Sequence, residues 1–449
     1  EPAAPTHPSI DRLLRQQVAN PVDLAGPAGL QMEALATEET IDYLIVTSVA
    51  LADAFQDLAD YRATRDGYRT RVVTVESIDE DYSGVDQQAR IRACITDYIQ
   101  NHQTLMVVLG GDDKAVPPRL CYGEVPAGLP NKFPNLPADL YFADIDGHWN
   151  ANGNDLWGEL DDDVDFGYDV VLGRIPVETA QHVATYLTKL QAAENDPPFD
   201  LRERFLMGGS RLGMGGVLEP EDPGLPGDED LPAWDGLAPM HETGRLRNDD
   251  ETWTRRLIKQ FLADEGYSPD LRRGLFSTVT SWDDAVPGDY DITPDHMVDR
   301  LNESWGLVFW FAHGDIRYIY TEAKGSNGLK GYDIETYLPQ TTGIFPLLVA
   351  PTCSMGYFDR SISPCLAEEI FWREGAGMVV YHGASRYGYG GGSDPVGGES
   401  PRYGASFLRQ MVRDPALNVG EAFVASKAEY IDQCDSDGYW RTLMFSINL

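Results

Sequence analysis

From Tyr43 onward, short apolar runs alternate with stretches of helical spacing, and this alternation constrains the fold more than any other feature. Tyr43–Thr47, Arg71–Val75 and Leu105–Leu109 have the length and composition of buried strands. Between them, Ala50–Arg65 and Gln87–Asn101 carry apolar residues at helical intervals, the first stopping at Gly67. A connection that long cannot be a hairpin, so consecutive strands must run parallel, with helices crossing over them. After an acidic loop, Asp169–Leu172 is predicted as a strand and Val177–Asn195 as a helix. The rhythm restarts at Phe205–Met207. It continues through helix Thr252–Glu265, strand Leu275–Val279, helix Asp295–Ser304 and the buried strands Gly306–Phe311 and Phe345–Ala350. Helix Pro364–Arg373, strand Gly377–Tyr381 and helices near Ser406–Val412 and Val419–Tyr430 complete the pattern. The predicted class is therefore α/β: two adjacent doubly wound, mostly parallel sheets flanked by helices.

At 449 residues the chain exceeds one ordinary core, which agrees with two units. We divide it into a Pro/Ala-rich N-terminal arm (1–38), a first α/β subdomain (39–200) and a second (201–449). Residues 213–250, rich in Gly, Pro and acids, read as an exposed insertion. The N-terminus, Glu1-Pro-Ala-Ala-Pro, has no initiator Met and no signal sequence; it reads either as the edge of the segment or as a processed end. No apolar run approaches the roughly 18 residues that cross a bilayer.

With 35 Lys and Arg against 72 Asp and Glu, the net charge is −37. No basic stripe exists to replace counterions, so nucleic acid is excluded as a partner. The turn Gly110-Gly111-Asp112 lacks both a Walker lysine and a full dinucleotide fingerprint, which argues against a nucleotide site. Five cysteines (Cys94, Cys121, Cys353, Cys365 and Cys434) are too few for a disulfide scaffold and have no paired zinc spacing.

Ligands bind parallel sheets at the carboxyl ends of strands. Two predicted strands end in reactive groups: Val308-Phe-Trp-Phe-Ala-His313-Gly314-Asp315 and Leu347-Leu-Val-Ala-Pro-Thr-Cys353-Ser-Met-Gly356. A thiol that attacks a carbonyl needs a base to take its proton and N–H groups to hold the oxyanion. Spacing alone leaves two thiols and two histidines as alternatives. Cys365 follows Pro364 at a predicted helix start, where the dipole favours thiolate, and His382-Gly383 repeats the His-Gly turn.

The segment Cys353-Ser-Met-Gly356-Tyr-Phe358, followed by Pro364-Cys365-Leu-Ala-Glu368, resembles the nucleophile segment of the gingipain-like cysteine peptidases, which belong to the caspase-like fold clan. Ala312-His313-Gly314 is similar to that family's Thr/Ala-His-Gly. Similarity extends through Tyr43-Leu-Ile-Val-Thr, Gly67-Tyr68, Val72-Val-Thr-Val-Glu76, Ile91-Arg92 and Leu109-Gly-Gly-Asp112. It also covers Pro137-Ala-Asp-Leu-Tyr-Phe-Ala-Asp144 and Tyr168-Asp169-Val-Val-Leu-Gly173-Arg174-Ile-Pro176.

The resemblance implies Cys353 as nucleophile, His313 as general base and acid, and the N–H groups of Gly314 and Cys353 as the oxyanion hole. Cys365 and His382 then become structural. Asp169 matches the family's acidic residue behind the histidine, though as Asp where the family has Glu. The loop Gly383–Tyr389 corresponds to the wall of the substrate pocket, with Tyr387 and Tyr389 as flanking rings. The implied function is peptide-bond hydrolysis in a secreted or cell-surface enzyme acting on proteins or peptides, without an organic cofactor. A catalytically silent caspase-fold module that binds a peptide or surface partner is the alternative. Relatives continue into an immunoglobulin-like domain beyond the point where this chain stops.

The acidic loop resembles a calcium-binding loop. Aligned on Gly153, Asn150, Asn152, Asn154 and Glu159 occupy EF-hand positions three, five, seven and twelve. His148 stands at position one, where a carboxylate belongs, so Asp144 or Asp146 is expected to substitute. We expect structural Ca2+ held by Asp144, Asp146, Asn150, Asn152, Asn154 and Glu159.

Overall fold

The computed structural model describes residues 39–125, 132–162, 164, 166–195, 205–209, 272–276, 289–291, 301, 305–321, 330–333, 345–389, 399–414, 417–431, 444 and 447–448. The expected arm 1–38, insertion 213–250 and helix Thr252–Glu265 lie outside these residues, as does all but one residue of the expected helix Asp295–Ser304.

The first sheet contains β1 (Tyr43–Thr47), β2 (Thr70–Thr74), β3 (Met106–Gly110) and β6 (Val171–Ile175), all parallel, in the order β2-β1-β3-β6. Its helices are α1 (Ala52–Asp66), α2 (Val75–Asp81), α3 (Gln87–His102), the single turn α4 (Leu140–Ala143) and α5 (Ala180–Asn195). Helix α1 ends on Gly67 in the left-handed conformation (φ 76°), which explains why the helical spacing stops there. Asp86 caps α3 by accepting from Ala89 N–H.

The second sheet orders β16-β15-β14-β10-β7-β8-β9. These are β7 (Phe205–Gly209), β8 (Arg272–Phe276), β9 (Asp289–Asp291), β10 (Leu307–Phe311), β14 (Leu347–Ala350), β15 (Val380–Ala384) and β16 (Ile447–Asn448). Only β16 pairs antiparallel, at an edge. Helices α6 (Leu366–Trp372), α7 (Glu399–Arg413) and α8 (Val419–Ile431) belong to this unit.

Strand alternation sorts side chains onto two layers, and each layer runs across both sheets. Leu44, Val46, Val107, Leu307, Phe309, Leu347 and Val349 share one core with residues of α7 and α8. Tyr43, Ile45, Met106, Val308, Trp310, Leu348 and Ala350 share the other with residues of α1 and α6. Strands buried on both faces read as uninterrupted apolar runs, which is why they were legible.

Three pieces were not. A β4–β5 hairpin (Arg119–Glu124 and Lys132–Ala138) occupies a stretch to which the apolar pattern assigns no strand. Pro134 and Pro137 lie within β5; a two-stranded hairpin tolerates them because each strand has an outer edge that needs no N–H. A small antiparallel sheet of β11 (Gly314–Asp315), β12 (Tyr318–Thr321) and β13 (Lys330–Asp333) follows the histidine. Strands β6 and β15 also start two and three residues later than predicted, because register with β3 and β14 decides where pairing begins. Among the described residues, no helix is long and apolar enough to cross a membrane.

Candidate active site

Strands β10 and β14 pair in parallel with Phe309 opposite Val349. His313 and Cys353 each lie four residues beyond that pair, so both leave the sheet at the same rim on adjacent strands. The contact is close. A Cβ on Gly314 would lie 2.8 Å from Cys353 O and 2.9 Å from Thr352 Oγ1, so only glycine fits there. On the other side of β14, Ala350 pairs with Gly383, which brings the loop after β15 to the same rim.

That loop meets the thiol directly. Gly388 N–H donates to Cys353 Sγ at 3.3 Å, and Sγ lies 3.7 Å from Gly388 O. Cys353 is half-buried, and burial pushes its thiol above the ordinary value. The Gly388 N–H opposes that shift, and the Asp315 charge adds to it. Tyr389 is tied to the start of α7: its N–H donates to Ser400 Oγ (2.7 Å) and its carbonyl accepts from Ser400 N–H (3.0 Å). Tyr387 is exposed and its ring lies 5.5 Å from that of Phe133 on β5, so the first subdomain meets this loop. Tyr389 instead packs against the core shared with α7 and α8.

Both rival groups are buried. Cys365 is fully enclosed at the N-cap of α6, where its N–H donates to Glu368 Oε2 at 2.7 Å. Burial pushes its thiol far up, so the helix start does not yield a thiolate. His382 is 0% exposed amid Tyr403, Phe407 and Phe423, and neither ring nitrogen has a hydrogen-bond partner among the described residues. Burial, followed by the Lys427 charge, pushes its pKa down to about 3.

The sign of the resulting pH dependence follows directly. Below the unfolded value near 6.5 the unfolded chain takes up a proton that folded His382 refuses, so stability is lost as pH falls from 6.5 toward 3. The loss approaches about 1.4 kcal/mol per pH unit. His382→Leu should flatten the decline in unfolding midpoint between pH 6 and 4, measured by circular dichroism. An unchanged slope would contradict the assignment.

Asp169 lies two residues before β6, whereas the rim end of that strand is Arg174–Pro176. Arg174 stacks on Phe358 (4.6 Å) and Pro176 O accepts from Trp372 Nε1 (2.8 Å), so this end faces the segment after Cys353. Asp169 is exposed at the opposite end, where its Oδ2 accepts from Ile145 N–H at 2.8 Å. Its carboxylate, with those of Asp144 and Asp146, forms a trio whose oxygens all lie within 4.8 Å of one another.

The expected calcium loop is thereby divided. Asp144 and Asp146 join Asp169, while Asn152 and Asn154 turn their amides onto Glu159 Oε2 (3.1 and 2.5 Å). The oxygens of those two amides accept from Asn154 N–H and Leu156 N–H. Asp162, which the glycine alignment passed over, organises this loop by accepting from the N–H groups of Ala151, Gly158 and Glu159. Asn150 lies in the same loop, half-buried.

Several of the family-like pieces of the first subdomain form scaffold contacts. Asp139 and Arg174 form a two-armed ion pair (2.7 Å each) with side chains 4% and 2% exposed. Arg92 donates to Asp144 O and Gly147 O, and Asp112 accepts from Lys114 N–H and Ala115 N–H.

A family model described as peptidase family C25 matches residues 36–449. The chain belongs to peptidase family C25. Among solved structures, that of the Arg-specific cysteine proteinase gingipain R (RgpB) superposes with a TM-score of 0.62 at 16% identity, over 91% of this chain and 77% of that one. The complex of the pro- and mature domains of Porphyromonas gingivalis RgpB gives 0.61 at 16% identity, over 90% and 78%. A third structure, described only as a protease, gives 0.57 at 12% identity, over 91% and 76%. No curated protein sequence matches. The family identifies a gingipain-like cysteine peptidase, and the α/β fold with its two side-by-side sheets agrees with it.

Proposed function

We propose that this C25 member is an endopeptidase in which Cys353 and His313 form the catalytic dyad. The observation that carries the reading is their equal offset beyond the paired residues Phe309 and Val349, at one rim of one sheet. In the first half-reaction, Cys353 Sγ attacks the scissile carbonyl carbon while its proton passes to His313. The N–H groups of Gly314 and Cys353 hold the oxyanion. Collapse breaks the C–N bond, the leaving amine takes the proton from His313, and the acyl group stays on sulfur as a thioester. Water then attacks the thioester, gives its proton to His313, and releases the carboxylic acid and the thiol. The raised thiol pKa agrees with a proton that leaves only when a base stands beside it. Tyr387, and to a lesser degree the packed Tyr389, flank the side chain next to the scissile bond.

The test is covalent trapping. A library of peptidyl acyloxymethyl ketones should label the intact chain once, at Cys353 by peptide mapping, and the preferred library members should report the residue cleaved. Labelling elsewhere, or no labelling together with no hydrolysis of a peptide library, would favour the silent binding module.

Calcium is the second part of the proposal. The trio Asp144, Asp146 and Asp169 offers the hard oxygens that Ca2+ requires, with Asp144 fully buried. These residues lie away from the rim, so the ion's role would be structural. A net charge of −37 and a calcium-stabilised fold suit an extracellular or surface enzyme. Chelation should lower the unfolding midpoint by a few degrees, as expected for a ligand present at about 100 times its Kd. Adding Ca2+ should restore it, and an Asp146→Asn/Asp169→Asn protein should respond to neither.

A further inference from the structure

We infer that Arg386 is a positioning residue for the nucleophile: its buried pair with Asp359 holds the pocket-wall loop so that Gly388 N–H is delivered to Cys353 Sγ. The inference rests on the reading of Cys353 as the nucleophile.

Arg386 is 9% exposed, and each arm of its guanidinium is committed. Nη1 donates to Asp359 Oδ1 (2.8 Å) and Ser385 O (2.9 Å). Nη2 donates to Asp359 Oδ2 (2.6 Å) and to Asn135 O on β5 (2.9 Å). Its plane covers the Tyr357 ring at 3.7 Å. One side chain thus joins three pieces of the site: the segment after the nucleophile, the pocket-wall loop and the first subdomain.

The backbone of Arg386 completes the clamp. Its carbonyl accepts from Ser354 N–H (2.5 Å), and Ser354 Oγ lies 3.4 Å away. Ser354, next to Cys353, has φ 58°, a left-handed conformation that costs a non-glycine residue about 1–3 kcal/mol and persists only where its surroundings enforce it. Two residues beyond Arg386, Gly388 has Pro351 O and Ser400 Oγ each 3.0 Å from where a Cβ would stand, so the loop sits tightly against the nucleophile strand. A buried ion pair is weak evidence of stabilisation, because desolvation offsets its attraction. What this pair supplies is a fixed angle between two loops, which bidentate geometry gives and an apolar contact does not.

Among the described residues, the titratable groups that act on the thiol are Asp315 on β11 and Tyr381 on β15, with His313 at the end of the neighbouring strand; Arg386 is neutralised by Asp359. Loss of the clamp should therefore reach Cys353 through the displaced Gly388 dipole and not through a lost charge.

The experiment follows iodoacetamide alkylation of Cys353 against pH by peptide mass mapping, alongside kcat and KM. It uses the full chain and the variants Arg386→Met, Arg386→Lys, Asp359→Asn and Arg386→Met/Asp359→Asn. The apparent thiol pKa should rise by about one unit in each single variant, including Arg386→Lys, whose ammonium lacks the planar fork that pairs bidentately with a carboxylate while also reaching Asn135 O and Ser385 O. The rate constant kcat should fall roughly tenfold with KM within about twofold, and the double variant should be no worse than either single one. Should Arg386→Met fail to fold, Arg386→Lys and Gly388→Ala carry the test, the latter displacing the N–H without touching the pair. A thiol pKa unchanged from wild type, with only the unfolding midpoint lowered, would overturn the inference. Alkylation needs no turnover, so an inactive wild-type chain would count against the proposed function and still leave the clamp tested.

Discussion

Cys353→Ala is expected to lower peptide hydrolysis by roughly 10^4-fold or more, as loss of the nucleophile does in other acyl-transfer enzymes. The unfolding midpoint should move by no more than a degree or two. The asymmetry follows from position. The side chain is half-buried at a rim and its sulfur meets a loop backbone, so replacing it with methyl opens no core cavity. Cys365→Ala is the matched control. That thiol is fully buried at the start of α6, so its loss should cost stability while leaving kcat near wild type. Turnover by Cys353→Ala at the wild-type rate, measured with dye-labelled peptides and active-site titration, would end the dyad proposal.

The largest stability effect is expected at Asp139. Replacing it with alanine should cost about 3–5 kcal/mol, because the Arg174 guanidinium would keep its charge in a buried site without its counter-ion. Arg174 also donates to Gly111 O and Val116 O, but carbonyl dipoles do not neutralise a cation. Asp139→Ala combined with Arg174→Met should recover much of the loss, since removing both charges leaves neither one stranded. Urea denaturation of the two variants reads this directly, and equal destabilisation of single and double variants would show that the pair is not the cause. Because Arg174 stacks on Phe358, five residues past Cys353, the Asp139 variant should also lose some activity at temperatures where it remains folded.

How far the sequence could be read depended on the physics of each segment. Strands buried on both faces announce themselves as apolar runs, so β1, β3, β10 and β14 were found nearly to the residue. Pairing register leaves no such trace, and β6 and β15 were displaced. The choice between thiols shows the same division. Spacing left Cys353 and Cys365 open, and only similarity to a family separated them before burial did. Arg386 stands in plain view within the loop after β15. Its partners Asp359, Asn135 and Tyr357 are distant in sequence or unremarkable in type, so no local pattern could mark it as a clamp.

The sequence by itself therefore determined the class of fold, the two strand ends that carry Cys353 and His313, and the family. These rest on local periodicity and on residue types that recur at fixed offsets, both of which are properties of the chain as a string. The tertiary structure decided what depends on where a strand points once it is paired. It moved Asp169 to the far end of β6, beside Asp144 and Asp146, and closed Asn152 and Asn154 onto Glu159. It enclosed His382 and set Gly388 against the thiol. Carboxylates and amides carry no periodic signal, and a residue two positions ahead of a strand lies at the end opposite its rim, a distinction that exists only after the sheet has formed.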